Sequence, residues 1–232
     1  MASIIDAIRS VYTDNFSLLK LGLLSFGIYA LFSLTSTGTG FNVFTFLLWL
    51  LIVYVYLGFC TIIISNRINQ RIETLPKFNP VLFFNTATQS SIIAIPLVVV
   101  GLFVVNLVIG LFNFEGLPQQ IALWMIRFFI FCILVTSLIY YAEKYKLKDG
   151  FNVVKISTGL ADVLVYTIIC ALLIALISIF TSAPTLYLVY TFFKFGPLFQ
   201  YVAVFFITMN LAFIADYWGQ LYFDIESKNN YY

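Results

Sequence analysis

Of the 232 residues, 62% are hydrophobic, 19% aromatic and only 9% charged, whereas a soluble domain carries roughly a quarter charged residues. Ten acids and twelve bases cannot clothe a soluble domain of this length, while lipid accepts an apolar exterior. The net charge of +2, spread over dispersed lysines and arginines, excludes an extended phosphate-binding surface, so nucleic acid is not expected as a partner.

Near the start, Ile4, Ile5, Ile8, Val11 and Tyr12 recur at helical spacing, with Asp6, Arg9 and Ser10 on the other face. The pattern predicts a short helix in the membrane interface, N-capped by Ser3. A first span follows over about residues 16–34, with Lys20 close enough to its end to reach the headgroups. No basic stretch and short apolar core precede it, so no cleavable signal peptide is expected. After an uncharged turn at 35–40 comes the second span, about 41–65. The stripe Ile64, Ile68, Ile72 and Leu75 predicts that this helix continues until Pro76 stops it.

Residues 79–89 are again half apolar, and the third span, 90–112, contains Pro96, Gly101, Asn106 and Gly110, which makes it the expected site of a kink. A loop carrying Glu115 leads to the fourth span, 120–142, with Arg127 about two turns from its start. This span leaves through Tyr140 and Tyr141 into a segment with Lys144, Lys146 and Lys148. Residues 150–159 repeat the half-apolar theme. The fifth span, 160–180, has Asp162 near its beginning and the pair Ala171 and Ala175 spaced for close helix approach. An aromatic connection at 181–197 has room for a short interfacial or re-entrant helix. The sixth span, 198–222, holds Asn210 and Asp216 and precedes a polar tail, 223–232.

The expectation is therefore an all-α integral membrane protein, a single transmembrane domain of six helices. On one side of these spans fall Arg9, Lys20, Arg67, Arg71, Lys77, Lys144, Lys146, Lys148, Lys155 and Lys228, and on the other Lys194, with Arg127 inside a span. That bias places both chain ends in the cytoplasm and suits the plasma or inner membrane.

Spans one, three and five begin at about residues 17, 90 and 161, each after a half-apolar segment and a Ser/Thr cluster. The spacing suggests three copies, in one orientation, of an interfacial segment plus a two-span hairpin. In inverted transporter repeats, by contrast, the copies face opposite ways. With helix exits such as Tyr141-Ala142-Glu143 followed by junctions such as Gly150-Phe151, the chain resembles a loose group of prokaryotic six-span membrane proteins of unknown function. The resemblance implies fold and membrane location and supplies no catalytic residues.

Candidate chemistry is sparse. Histidine is absent, and Cys60, Cys132 and Cys170 fall singly in apolar spans, so neither metal, cofactor nor disulfide is expected. The intramembrane polar candidates are Arg127, Asn106, Asn210, Asp216 and Asp162. Arg127 suits either an anion contact or, near the end of its span, a boundary anchor that snorkels outward or pairs with Glu115; the anchor is favoured. Asp162 and Asp216 are expected to be satisfied by Lys20, Lys155 or water, with a proton-relay role as the alternative for Asp216. Asn106 and Asn210 are expected to bond across helices. No Ser/Lys or paired-carboxylate constellation appears at usable spacing, so an enzyme is not expected. The favoured reading is a scaffold or subunit of a membrane assembly; the alternative is a small-solute transporter or channel. Membrane lipid is the expected partner, with other membrane proteins or a second copy of the chain besides.

Overall fold

The computed structural model describes residues 2–14, 16–36, 43–71, 73–77, 79–112 and 117–229. The regular structure among them is helical: α1 (Ile4–Thr13), α2 (Ser17–Ser36), α3 (Val43–Ile68), α4 (Pro80–Phe112), α5 (Leu117–Lys144), α6 (Leu147–Gly150), α7 (Val153–Phe180), α8 (Ser182–Phe193) and α9 (Pro197–Asn229). Six helices, α2, α3, α4, α5, α7 and α9, are long and apolar enough to cross a membrane. The apolar stretch of α7 runs on through α8, 41 residues in all. At 1.5 Å per residue that would be about 60 Å, twice a bilayer core, and the helix is interrupted at Thr181. Residues 181–197 thus contain a short helix that packs on α7 and α9.

The packing has an inner and an outer layer. Helices α3, α5 and α9, the second member of each hairpin, touch one another. The first members lie outside them: α2 between α3 and α9, α4 between α3 and α5, and α7 between α5 and α9. Most of the largest buried side chains lie on the inner helices, with Ile63 and Ile64 on α3, Ile139, Tyr140 and Tyr141 on α5, and Phe213 and Leu221 on α9, while Leu21 of α2 and Ile93 of α4 join them from outside. All belong to the halves where α3, α5 and α9 end. The opposite halves keep broad apolar faces outward, among them Val98, Val99, Val100, Leu102 and Phe103 on α4.

Lipid tails are as apolar as leucine, so contact between these helices rests on close packing and interhelical hydrogen bonds. A Cβ at Gly58 would stand 2.6 Å from the Cβ of Ala87, and one at Gly101 would stand 2.6 Å from Ile130. Ser90 donates to Thr61 at 2.9 Å, Tyr56 and Thr208 share a bond of 3.1 Å, and Tyr141 donates to Gln89. The expected close approach at Ala171 and Ala175 is not made, because both are exposed; Gly159, Val163, Cys170 and Ile174 form the buried side of α7.

One further expectation is corrected. Helix α3 stops at Ile68, well short of Pro76. Its end is closed locally: the Arg71 N–H donates to the Asn66 carbonyl and the Gln70 N–H to that of Arg67, with Gln70 in the left-handed region at φ 50. This is the paired bonding of a Schellman cap with glutamine in the usual glycine position. The Asn69 amide, bonded back to Ser65, and the Asn66 amide, donating to the Thr74 carbonyl, turn the chain back toward the bundle. Leu75 is consequently buried as part of the core and not as a continuation of the helix. Helix α4 is a single helix with Pro96 inside it. Residues 79–89 are its first turns, and most of 150–159 is likewise the start of α7, capped by the Asn152 side chain accepting from the Lys155 N–H. Only the first half-apolar segment is a separate helix. Ser3 caps it, and its stripe Ile4, Ala7 and Val11 is buried against the bundle while Ile5 and Tyr12 are exposed. The expected turn at 35–40 lies mostly outside the described residues.

Candidate functional site

Charged side chains gather where α3 and α5 end and where α2 and α7 begin, which brings residues far apart in sequence to one end of the bundle. The deepest is Asp216, on α9, whose side chain is 0% exposed. One of its oxygens accepts from Gln220 Nε2, one turn on, at 2.9 Å; the other faces Arg67 Nε of α3 at 3.8 Å and has no hydrogen bond. The same stripe of α9 receives the beginning of α1. Gln220 Oε1 accepts from the Ser3 N–H at 2.8 Å, and Asp224 Oδ2 accepts from the Ala2 N–H at 2.7 Å. The Asp224 carboxylate thus stands at the positive end of the α1 dipole.

Beside this stripe lies a polar cavity of about 430 Å³ lined by Asp6, Arg67, Gln70, Arg71, Gln220, Phe223 and Asp224. Two guanidinium groups and two carboxylates therefore face one space. The carboxylate of Asp6 and the guanidinium of Arg71 belong to no ion pair among the described residues, although both line it.

A second network pins the segment after α3. Asp14, buried, accepts from Lys20 Nζ at 2.6 Å and from the Leu75 N–H at 2.8 Å. Lys20 also donates to Glu73 at 3.2 Å, and Glu73 meets Lys77 at 3.5 Å. The bond from Lys20 holds the Glu73 carboxyl below its ordinary value of 4.5, with Lys77 adding to the effect. A third group joins Glu143 to Lys144 at 2.6 Å, with Lys155 4.0 Å from both Glu143 and Asp149 and stacked over the Tyr140 ring.

The five polar residues singled out from the sequence do not converge. Asn106 and Arg127 are exposed on the outer faces of α4 and α5. Asn210 donates to Ser178 Oγ at 3.1 Å, joining α9 to α7 as expected of a bundle amide. Asp162 is half-buried in the third turn of α7. The Arg127 to Glu115 pairing lies outside the described residues. Asp216 alone sits in the interior, and its charged neighbour is Arg67, while Lys20 and Lys155, expected along with water as partners, are held by Asp14, Glu73, Glu143 and Asp149. Sequence reasoning counted Arg67 only among the charges of one side and did not single out Glu73 or Asp14. The spacing of Asp216, Gln220 and Asp224, every fourth residue of one helix, was the available signal for a polar stripe.

Among the described residues no group of three or more Cys, Asp and Glu side chains is placed to hold a metal ion, and the three cysteines are free and buried. No family model, curated protein or solved structure matches this chain.

Proposed function

We propose that this is a non-catalytic scaffold or subunit of a membrane assembly, placed in the plasma or inner membrane with both chain ends in the cytoplasm. The observation that carries the reading is the filling of the bundle where its inner helices end. There Ile63, Ile139, Tyr140, Phe213 and Leu221 are buried together in one apolar core. A solute pathway needs several polar groups converging at mid-membrane. Asn106 and Arg127 instead point outward, and Asn210 is engaged with Ser178.

The repeat reading belongs to the same proposal. Each outer helix lies between its own hairpin partner and the inner helix of a neighbouring hairpin, a cyclic relationship that three similarly oriented hairpins generate naturally. On this reading α1 lies in the membrane interface, with Ile5 and Tyr12 toward lipid. The exposed faces of α2, α4, α7 and α8 meet lipid or other membrane proteins.

The deciding measurement is flux in proteoliposomes. The scaffold reading expects vesicles containing the protein to pass amino acids, sugars and monovalent ions no faster than empty vesicles. A protein-dependent flux abolished by Asn106→Leu would replace it with transport.

A further inference from the structure

The polar cavity beside α9 has an arrangement the scaffold reading does not use. Asp6 comes from α1, Arg67 from the last turn of α3, Gln70 and Arg71 from its cap, and Gln220, Phe223 and Asp224 from the end of α9. Three chain segments thus build one space of about 430 Å³, within the range of small-ligand pockets.

Its charge pattern selects the ligand. A simple oxyanion would meet Arg67 and Arg71 and also the repulsion of Asp6 and Asp224, with the buried Asp216 drawing on Arg67 besides. A simple cation would meet the reverse. A molecule carrying both charges a few bonds apart meets the two guanidinium groups with one end and Asp6 with the other. Arg67 approaches Asp216 through Nε at 3.8 Å, too long for a hydrogen bond, so the fork of its guanidinium is not consumed by that contact. Asp6 and Arg71 face the same cavity without pairing, one an acceptor and the other a donor. The Gln70 and Gln220 side chains supply neutral polar groups, and Phe223 an apolar wall.

We propose that this cavity binds a zwitterion, an oxyanion and a primary ammonium separated by a few bonds, with the oxyanion on Arg67 and Arg71 and the ammonium on Asp6. The chemistry is shared by a phosphoethanolamine lipid headgroup and by a free amino acid. The inference stands on the cavity alone and does not depend on the scaffold reading.

The test is calorimetric titration of the purified chain in a non-ionic detergent with O-phosphoethanolamine, inorganic phosphate, ethanolamine and alanine, together with lipid retention from nanodiscs of phosphatidylethanolamine or phosphatidylglycerol. At least one zwitterion is expected to bind about tenfold or more tightly than phosphate or ethanolamine. Arg71→Gln and Asp6→Asn, at exposed and unpaired side chains, are expected each to weaken it by about tenfold, the scale of one charge-assisted contact, with unchanged melting. Phosphoethanolamine binding and selective retention of phosphatidylethanolamine, with alanine inert, assign the lipid source. Alanine binding without lipid selectivity assigns the free solute. Phosphate or ethanolamine binding as tightly as any zwitterion overturns the proposal, as does absence of binding, or variants that bind like the parent.

Discussion

Gly219 of α9 lies against Arg67 of α3 so closely that a methyl group at 219 would stand 2.6 Å from the Arg67 Cβ and 3.0 Å from the Ile64 carbonyl oxygen. Neither neighbour is the far end of a flexible side chain, so the helices themselves must part. Gly219→Ala is expected to destabilise the protein by about 1–3 kcal/mol, the usual cost of overpacking. Gly27, with nothing within 4 Å of an added Cβ, is the control: Gly27→Ala is expected to hold or raise the melting temperature. Thermal melts of the two variants in detergent check the contrast.

The Arg67 and Asp216 pair is unequal, since the arginine side chain is 33% exposed and the aspartate 0%. Removing the arginine strands a carboxylate that cannot reach water, whereas removing the aspartate leaves a guanidinium that can. Arg67→Leu is therefore expected to cost about 3–5 kcal/mol and Asp216→Leu distinctly less. The double variant should recover part of the Arg67→Leu loss, and a double-mutant cycle on melting midpoints measures it.

Glu73 carries a pH dependence with a definite sign. Its folded carboxyl titrates below the ordinary value of 4.5 because of the bond from Lys20, so the unfolded chain binds its proton first as pH falls. The contribution of the Lys20 and Glu73 pair is complete above that value and lost as pH drops through the lowered one. Glu73→Gln is expected to melt below the parent at pH 7, and the gap to close progressively below about pH 4.5. A constant gap down to pH 3 would assign the effect of the variant to packing.

Arg127 is exposed, so Arg127→Leu is expected to insert normally and to change stability by no more than about 0.5 kcal/mol. Loss of the monodisperse protein in detergent would reveal a buried partner.

Orientation is open to direct labelling. A cysteine in place of Lys148, introduced into a chain whose three native cysteines are replaced, is expected to react with an impermeant maleimide only after the cells are opened. One in place of Thr37 should react in intact cells.

The spans were legible because length and hydropathy are read locally, and α9 and α5 begin within about three residues of their expected starts. The end of α3 was not, because the Ile64, Ile68, Ile72 and Leu75 stripe continues the helical period while Gln70 takes a left-handed conformation that glutamine seldom signals. Leu75 met the requirement for burial by returning to the core from a loop. The polar candidates divided the same way. Depth in a span identified Asn106 and Arg127 but said nothing of their face, whereas Asp216 owes its position to Arg67, 149 residues earlier, and to α1 folding back over α9.

That fold-back has a consequence for how the protein is made. The amide hydrogens of Ala2 and Ser3 find their acceptors on Asp224 and Gln220, 222 and 217 residues later. At translation speeds of about 5–20 residues per second, α1 emerges at least ten seconds before the surface it rests on exists. During that interval its apolar side, Ile4, Ala7 and Val11, has no site within the chain, and the nascent membrane or an insertion factor must shelter it. Of the described helices α1 is synthesised first and seated late, so a slow or failed insertion of α9 would be registered as an accessible α1.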